Sequence, residues 1–404
     1  MSKDHNGRLA AAIVIGAVAW AAPSAAALTV LVPAMLAQID PDEKVHLLAV
    51  ATISGSLVAL IAAVGFGVLS DLTRSRFGAR SPWMVAGGAL AGCALLAMSL
   101  AENFAVLLFS WLIFQLAINA IISPLKAVLA DRVTIHRLGR MSSLYGAATL
   151  VGFAAGAVLG AQFITAPQVG LRIVAVLIAA LPVVSVLLAR EAPNRDEPRP
   201  PMSASLVLRA ITPPRHVPDF YWALVGRFGV ILGSSMITTF QLYILTDYAA
   251  LDLVDAGQIV SLGAVLTLVA SIVGSLVSGA ISDRVMRRKV PVVVASIIIA
   301  LAMAFPFFVP QGWAMLVFAT LAGLGMGVYY SVDVALMTEV LPDRGWRSRD
   351  LGILNISNTG GQMLAPGVSS LVIALGLGFA PIFAVAMAVT LIGGFSTWMI
   401  RTVK

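Results

Sequence analysis

The chain has 404 residues, of which 59% are apolar and 11% charged, with a formal net charge of +7. An average soluble domain carries about 25% charged residues, so a water-soluble globule is excluded, as is a disordered chain; what remains is an integral membrane protein of many helices. The single cysteine, Cys93, excludes a disulfide framework and a thiolate zinc cluster, and His5, His46, His136 and His216 show no metal-ligand spacing, so no cofactor is expected.

A bilayer-crossing helix needs about 20 mostly apolar residues. Twelve such runs occur, at roughly 10–37, 45–70, 82–101, 104–130, 141–166, 170–189, 220–246, 257–281, 290–309, 313–339, 351–375 and 378–400. They are continuous rather than alternating, which predicts helices and not a barrel. The first run follows Lys3 and Arg8 but is too long for the core of a signal peptide. The expected fold is all-α, with twelve transmembrane helices in two six-helix bundles, 1–189 and 219–404. Between them, 190–218 reads as a cytoplasmic linker rich in proline, including Pro193, Pro198, Pro200 and Pro201.

With the N-terminus placed in the cytoplasm, all of the 26 Lys and Arg fall in inner segments except Lys44, Lys126, Arg172 and Arg227. That bias predicts a multi-pass protein of the cell membrane with both termini cytoplasmic. The net positive charge then reflects topology, and nucleic acid is not an expected partner, because the basic residues are dispersed over the inner segments.

Polar residues inside the runs fall at helical spacing. Trp20 and Ser24 mark span one; Gln115, Asn119 and Lys126 share a face of span four; Arg227, Ser234, Thr238 and Gln241 share one of span seven. Tyr329 stands one turn from Asp333 in span ten, near Glu339, and Asn355, Asn358 and Gln362 form a stripe in span eleven. The set predicts a hydrogen-bonding cavity for a small polar solute, lined by Trp20, Gln115, Asn119, Gln241, Tyr329, Asn355, Asn358 and Gln362. Any one amide serves equally well as an interhelical bond worth under about 2 kcal/mol. An ionisable residue at a span centre costs about 2.5–3.5 kcal/mol, which makes it a functional candidate. Asp333 lies ten residues before Asp343 and Arg227 eight after Asp219, which sets them at similar depths of about 15 and 12 Å. Asp333 is therefore the expected proton site, with Arg227 as its partner and Glu339 nearby; a permanent structural ion pair is the other reading. Lys126, close to the inner end of span four, is expected to snorkel or to pair at a gate.

Two landmarks repeat at one offset. Gly67-Val-Leu-Ser-Asp71 is echoed by Gly279-Ala-Ile-Ser-Asp283, and Asp131-Arg132 by Asp343-Arg344, each 212 residues on. Such a duplication suits a secondary transporter. The stretch from Gly67 through Asp71, Arg74, Arg76, Gly78 and Arg80 to Pro82-Trp83 resembles the signature between spans two and three of the major facilitator superfamily. Its extended form, together with Pro218-Asp-Phe-Tyr-Trp222 and Arg227-Phe228, is most similar to the sugar-cation symporter branch. The resemblance implies that spans one, four, seven and ten line a central cavity. It also implies a conformational latch on the inner face. There Gly67 would allow close helix approach, Asp71 would face the start of span eleven and Asp283 that of span five, where a carboxylate gains roughly 0.3–1 kcal/mol from the helix dipole. The gating set is Gly67, Asp71, Arg74, Arg76, Arg80, Lys126, Asp131, Arg132, Asp283, Arg284, Asp343 and Arg344.

The expected activity is proton-coupled symport of a sugar- or polyol-like solute by a monomer in contact with membrane lipids. Sodium-coupled members of the branch use acidic residues in span two, and none lies between His46 and Ser70. Drug or metabolite efflux is the main alternative; it is disfavoured because no proline follows Gly152, Gly156 or Gly160 in span five, whose spacing reads as a packing ridge. A non-transporting receptor or scaffold is a further alternative. No nucleophile–base pair supports an enzyme, and Gly323-Leu-Gly325-Met-Gly327 lacks the spacing of a dinucleotide fingerprint.

Overall fold

The computed structural model describes residues 3–195, 217–285, 288–340 and 347–401. Among these residues the regular structure is entirely helical, with twelve helices long and apolar enough to cross a membrane. Helix α1 runs Lys3–Ala26 and continues, through a π-helical turn at Ala27–Leu31, as Val32–Ile39. Then follow α2 (Lys44–Leu72), α3 (Ser81–Met98), α4 (Phe104–Arg132), α5 (Ile135–Gln162) and α6 (Pro167–Ala189). The second series is α7 (Pro218–Thr239), α8 (Leu253–Val285), α9 (Lys289–Phe308), α10 (Gly312–Glu339), α11 (Arg347–Val372) and α12 (Ala380–Trp398).

Helix ends have local causes. Asn103 accepts a hydrogen bond from the Val106 amide at 3.0 Å and caps α4, and Asp252 does the same for Asp255 at 2.8 Å before α8. Pro82, Pro167 and Pro218 sit in first turns, where a missing N–H costs nothing. Two ends differ from the apolar pattern. Helix α5 begins six residues before the run at 141, because a helix needs only its own backbone bonds and tolerates Arg137 and Arg140 outside the apolar zone. Helix α7 stops at Thr239 rather than 246: Phe240 adopts φ −101°, ψ 15°, and a short helix Gln241–Tyr243 and a π-turn Ile244–Tyr248 follow.

The chain divides into two compact units, Met1–Pro201 and Met202–Lys404. In the first, α1 packs on α5 and α6, α4 on α2 and α3, and α3 on α6. The second repeats these pairings position for position: α7 on α11 and α12, α10 on α8 and α9, and α9 on α12. Small residues make the closest seams. A Cβ at Gly152 would lie 2.9 Å from Ala21 Cβ and one at Gly160 3.1 Å from Ala26 Cα, while one at Gly156 would collide with the Ala22 backbone. Gly323 approaches the Thr267 backbone in the α8–α10 seam, where Ser271 donates to the Gly323 carbonyl at 2.9 Å. At Gly67, among the described residues, a Cβ would meet no atom within 4 Å. Large apolar side chains such as Ile61, Phe109, Leu276 and Phe308 point outward, as lipid-facing surface requires.

Gly156→Val is expected to lower stability by about 1–3 kcal/mol through overpacking against Ala22. Gly139→Ala, where a Cβ meets nothing within 4 Å among the described residues, is expected to raise stability by up to about 1 kcal/mol through helix propensity. Thermal unfolding of the two purified variants checks this.

Candidate functional site

In the second unit, Arg227 projects from α7 and Asp333 from α10. Arg227 Nη1 lies 3.2 Å from Asp333 Oδ2, and the side chains are 12% and 1% exposed. Neither carboxylate oxygen has an aligned hydrogen bond, nor does Arg227 Nε, so the pair is joined by charge rather than by a bidentate fork. Tyr329, one turn earlier and fully buried, sets its hydroxyl close to the carboxylate and its ring edge-on to Tyr330, centroids 5.7 Å apart. Glycines on the back of α7 fix this geometry. Gly226, Gly229 and Gly233 press against α12 at Thr397, Gly393 and Thr390, while Ser234 Oγ meets Met326 Sδ at 3.8 Å farther along the α7–α10 seam.

The other expected solute contacts are more scattered. Thr238 bonds back to the Ser234 carbonyl. Gln241 falls beyond the interruption at Phe240, at the start of the short helix that follows α7. Asn358 keeps a buried Oδ1 without a hydrogen bond, whereas Gln362 is exposed. The side chains of Asp283, Arg284, Glu339 and Asn355 lie outside the described residues, as do Asp343 and Arg344. In the first unit, Asn119 is buried and donates to the Gln115 carbonyl on its own helix at 2.9 Å, and Gln115 itself lies near Gly55 of α2. Lys126 is exposed. Trp20 stacks edge-on with Phe153 at 5.4 Å, and its buried Nε1 has no hydrogen bond. Beside it lies the hydroxyl of Tyr145 in α5, which no sequence pattern singled out.

A second polar centre closes the basic end of the first unit, where α2, α4 and α6 end and α3 begins. Arg80 bridges two carboxylates, Asp71 at 2.5 Å and Asp131 at 3.0 Å, and donates to Ser70 Oγ at 2.6 Å. Burial alone would lower the pKa of this guanidinium, but the hydrogen bonds and charges of Asp71 and Asp131 outweigh it and raise the value. Asp71 thus has its cation within its own unit. Arg74 donates to the Asp71 and Thr73 carbonyls at the end of α2, Arg76 lies over the Phe77 ring, and Arg132 donates to the Ala189 carbonyl at 2.6 Å.

Sequence reasoning missed the residues that hold this centre together. The Glu191 carboxylate accepts from the amides of Ala79, Arg80 and Ser81 and from Ser81 Oγ, at 2.8–3.1 Å, and so fills the N-terminus of α3. Asn194 exchanges bonds with Ser75 and donates to the Thr73 carbonyl. Gly78, at φ +87°, leaves the space that Glu191 occupies. Both polar residues sit in a proline-rich stretch without periodicity, which carries no signal of packing.

The family model that matches the sequence is the Major Facilitator Superfamily, over residues 9–275 and 260–404. No curated protein sequence matches. Similar solved structures include the D-xylose-proton symporter, with 12% identity, 98% of each chain covered and a TM-score of 0.74. A mutant of the nucleoside transporter NupG has 12% identity, 97% of this chain and 99% of that one covered, and a TM-score of 0.76. A bacterial homologue of the human lysosomal transporter Spinster, inward-facing and unoccupied, has 13% identity, 99% of each chain covered and a TM-score of 0.70.

Glu191→Ala is expected to cost about 1–2 kcal/mol, as loss of a helix N-cap does. Hydrogen exchange should then show faster exchange at the Ala79, Arg80 and Ser81 amides and little change in α5.

Proposed function

We propose, from the premise that this chain belongs to the Major Facilitator Superfamily, that it is a proton-coupled carrier of a small, sugar- or polyol-like solute, working by alternating access. The observation that carries the reading is the buried Arg227–Asp333 pair, set against the repeat in the same chain. Asp333 stands ten residues before Asp343; ten residues before the matching Asp131 stands Ile121, wholly buried in α4. The same helix pairings form around an isoleucine in one unit and around an aspartate in the other. The architecture therefore has no need of the charge, which costs several kcal/mol to desolvate before pairing.

The chemistry follows from the geometry. As a carboxylate, Asp333 holds Arg227 by charge at 3.2 Å. A proton entering on Asp333 cancels that attraction and frees the guanidinium; loss of the proton restores the pair. Tyr329, close by, is placed to donate to the carboxylate as it re-forms. One charge moved through 100 mV supplies about 2.3 kcal/mol, enough for roughly 50-fold accumulation. The chain is placed in the cell membrane with both termini cytoplasmic, supported by the inner clustering of Lys and Arg. The likeness to a D-xylose-proton symporter and to a nucleoside transporter supports a small polar solute.

The test is substrate-dependent pH change in proteoliposomes across a panel of sugars, polyols, organic acids and dyes. Alkalinisation outside on adding a sugar or polyol is expected; a response confined to lipophilic cations would replace this reading with efflux. Asp333→Asn is expected to abolish accumulation while keeping exchange of internal for external solute. An Asp333→Asn protein that still accumulates solute against a gradient would remove the proton role.

A further inference from the structure

The second unit holds a buried acceptor that the proton step described above leaves unused. Asn358 of α11 keeps its Oδ1 buried and without a hydrogen bond, and Arg227 of α7 keeps its Nε in the same condition. A buried donor or acceptor costs free energy while it lacks a partner, and so calls for a cause.

The helix contacts set these two groups at one level. Helices α7 and α11 pack side by side and run in the same direction. Ser369 Oγ donates to the Met236 carbonyl at 3.3 Å. A Cβ at Gly361 would lie 3.0 Å from the Leu232 amide nitrogen and 3.1 Å from the Phe228 carbonyl oxygen. Asn358 stands three residues before Gly361, and Arg227 one before Phe228, so their depths agree to within about one helical turn. On α11, Asn358, Gly361, Ala365 and Ser369 share one face, and Gly361 and Ser369 show that it meets α7. On α7, Phe228 and Leu232 turn to α11, whereas Arg227 and Ser234 meet Asp333 and Met326 of α10. Arg227 thus stands beside the row that faces α11, and a change of rotamer carries its guanidinium from α10 towards that row.

We propose that Asn358 is the seat of Arg227 while Asp333 is protonated: the guanidinium leaves the neutral carboxyl group, donates to Asn358 Oδ1, and returns when the carboxylate re-forms. The inference rests on Asp333 as the proton site. The Arg227–Asp333 pair is held by charge, so neutralising the carboxylate removes its main attraction. Among the described residues the titratable or charged groups near Asp333 are Arg227, Tyr329 and Tyr330, so no second carboxylate competes for the arginine. A cation released inside a span without a partner would oppose the proton that released it. An amide oxygen can receive the guanidinium and still yield it, because a hydrogen bond between two charged groups is stronger than one to a neutral acceptor. This makes Asn358 a positioning residue for the arginine and not a solute contact.

Thermal unfolding of the purified full chain in detergent at mildly alkaline pH tests it, with Asp333→Asn standing in for the protonated state. Asn358→Leu alone should leave the midpoint unchanged or slightly raised, since it removes an acceptor without a partner. Added to Asp333→Asn, the same substitution should lower the midpoint by roughly 3–6 °C, through loss of a hydrogen bond to a charged group. Asp333→Asn with Asn358→Asp moves the carboxylate from α10 to α11 and should unfold at a higher temperature than Asp333→Asn alone. An amide with a merely structural role would cost the same in both backgrounds, and a carboxylate beyond the reach of Arg227 would stay unpaired and lower the midpoint. Either result would overturn the proposal, and the relocated carboxylate decides the matter if the leucine double variant does not fold. Failure of the proton reading shows separately, as solute accumulation by Asp333→Asn, and does not alter these midpoints.

Discussion

A peptide group in lipid has no water to turn to, so every N–H and C=O inside a span has to find its partner within the protein. That constraint makes this chain helical wherever it is apolar, and it shifts the burden of cohesion onto contacts between helices. Lipid tails are as apolar as leucine, so helices gain little by hiding leucine from lipid and hold together by close backbone approach and by polar contacts. The glycines at 152, 156 and 160 bring α5 onto the alanines of α1, and Gly323 does the same for α10 and α8. Against this background of small and apolar surfaces, a buried charge is an exception that demands a cause.

The duplicated architecture supplies its own control. At one matching buried position of two units with the same helix pairings, α4 carries an isoleucine and α10 an aspartate. A feature present in one copy and dispensable in the other is a better candidate for chemistry than any charge judged in isolation. The first unit concentrates its polar contacts at its basic end, where Arg80 gathers Asp71 and Asp131 and Glu191 closes the start of α3. Of those groups, Glu191 satisfies amides at a helix start that would otherwise lack partners, while Arg80 ties side chains of α2 and α4 together.

The fold was legible in the sequence because its signal is long and redundant. Each span has about 20 residues voting for the same state, so twelve helices could be counted and most helix ends came out within a few residues. The α7 end was missed because Phe240 and its neighbours are as apolar as the span before them, and hydropathy does not register a backbone interruption. The α5 start was missed for the converse reason, since charge ended the apolar run without ending the helix. Arg227 and Asp333 were found because an ionisable residue stands out in an apolar run. Their pairing needed only depth along two helices. Tyr145, Glu191 and Asn194 were invisible. The partners of Glu191 and Asn194 lie from 110 to 121 positions away and Tyr145 meets a different helix, and no local pattern encodes that.

The clasp formed by Glu191 and Asn194 has a mechanical consequence. It fastens the chain to the loop before α3 at the point where the first bundle ends. A pull arriving from the downstream segment is grounded there, much as a cable clamp keeps strain off a soldered joint, and does not unravel the end of α6. Load arriving there is spread over α2 and the start of α3 instead of falling on the last turn of α6 alone.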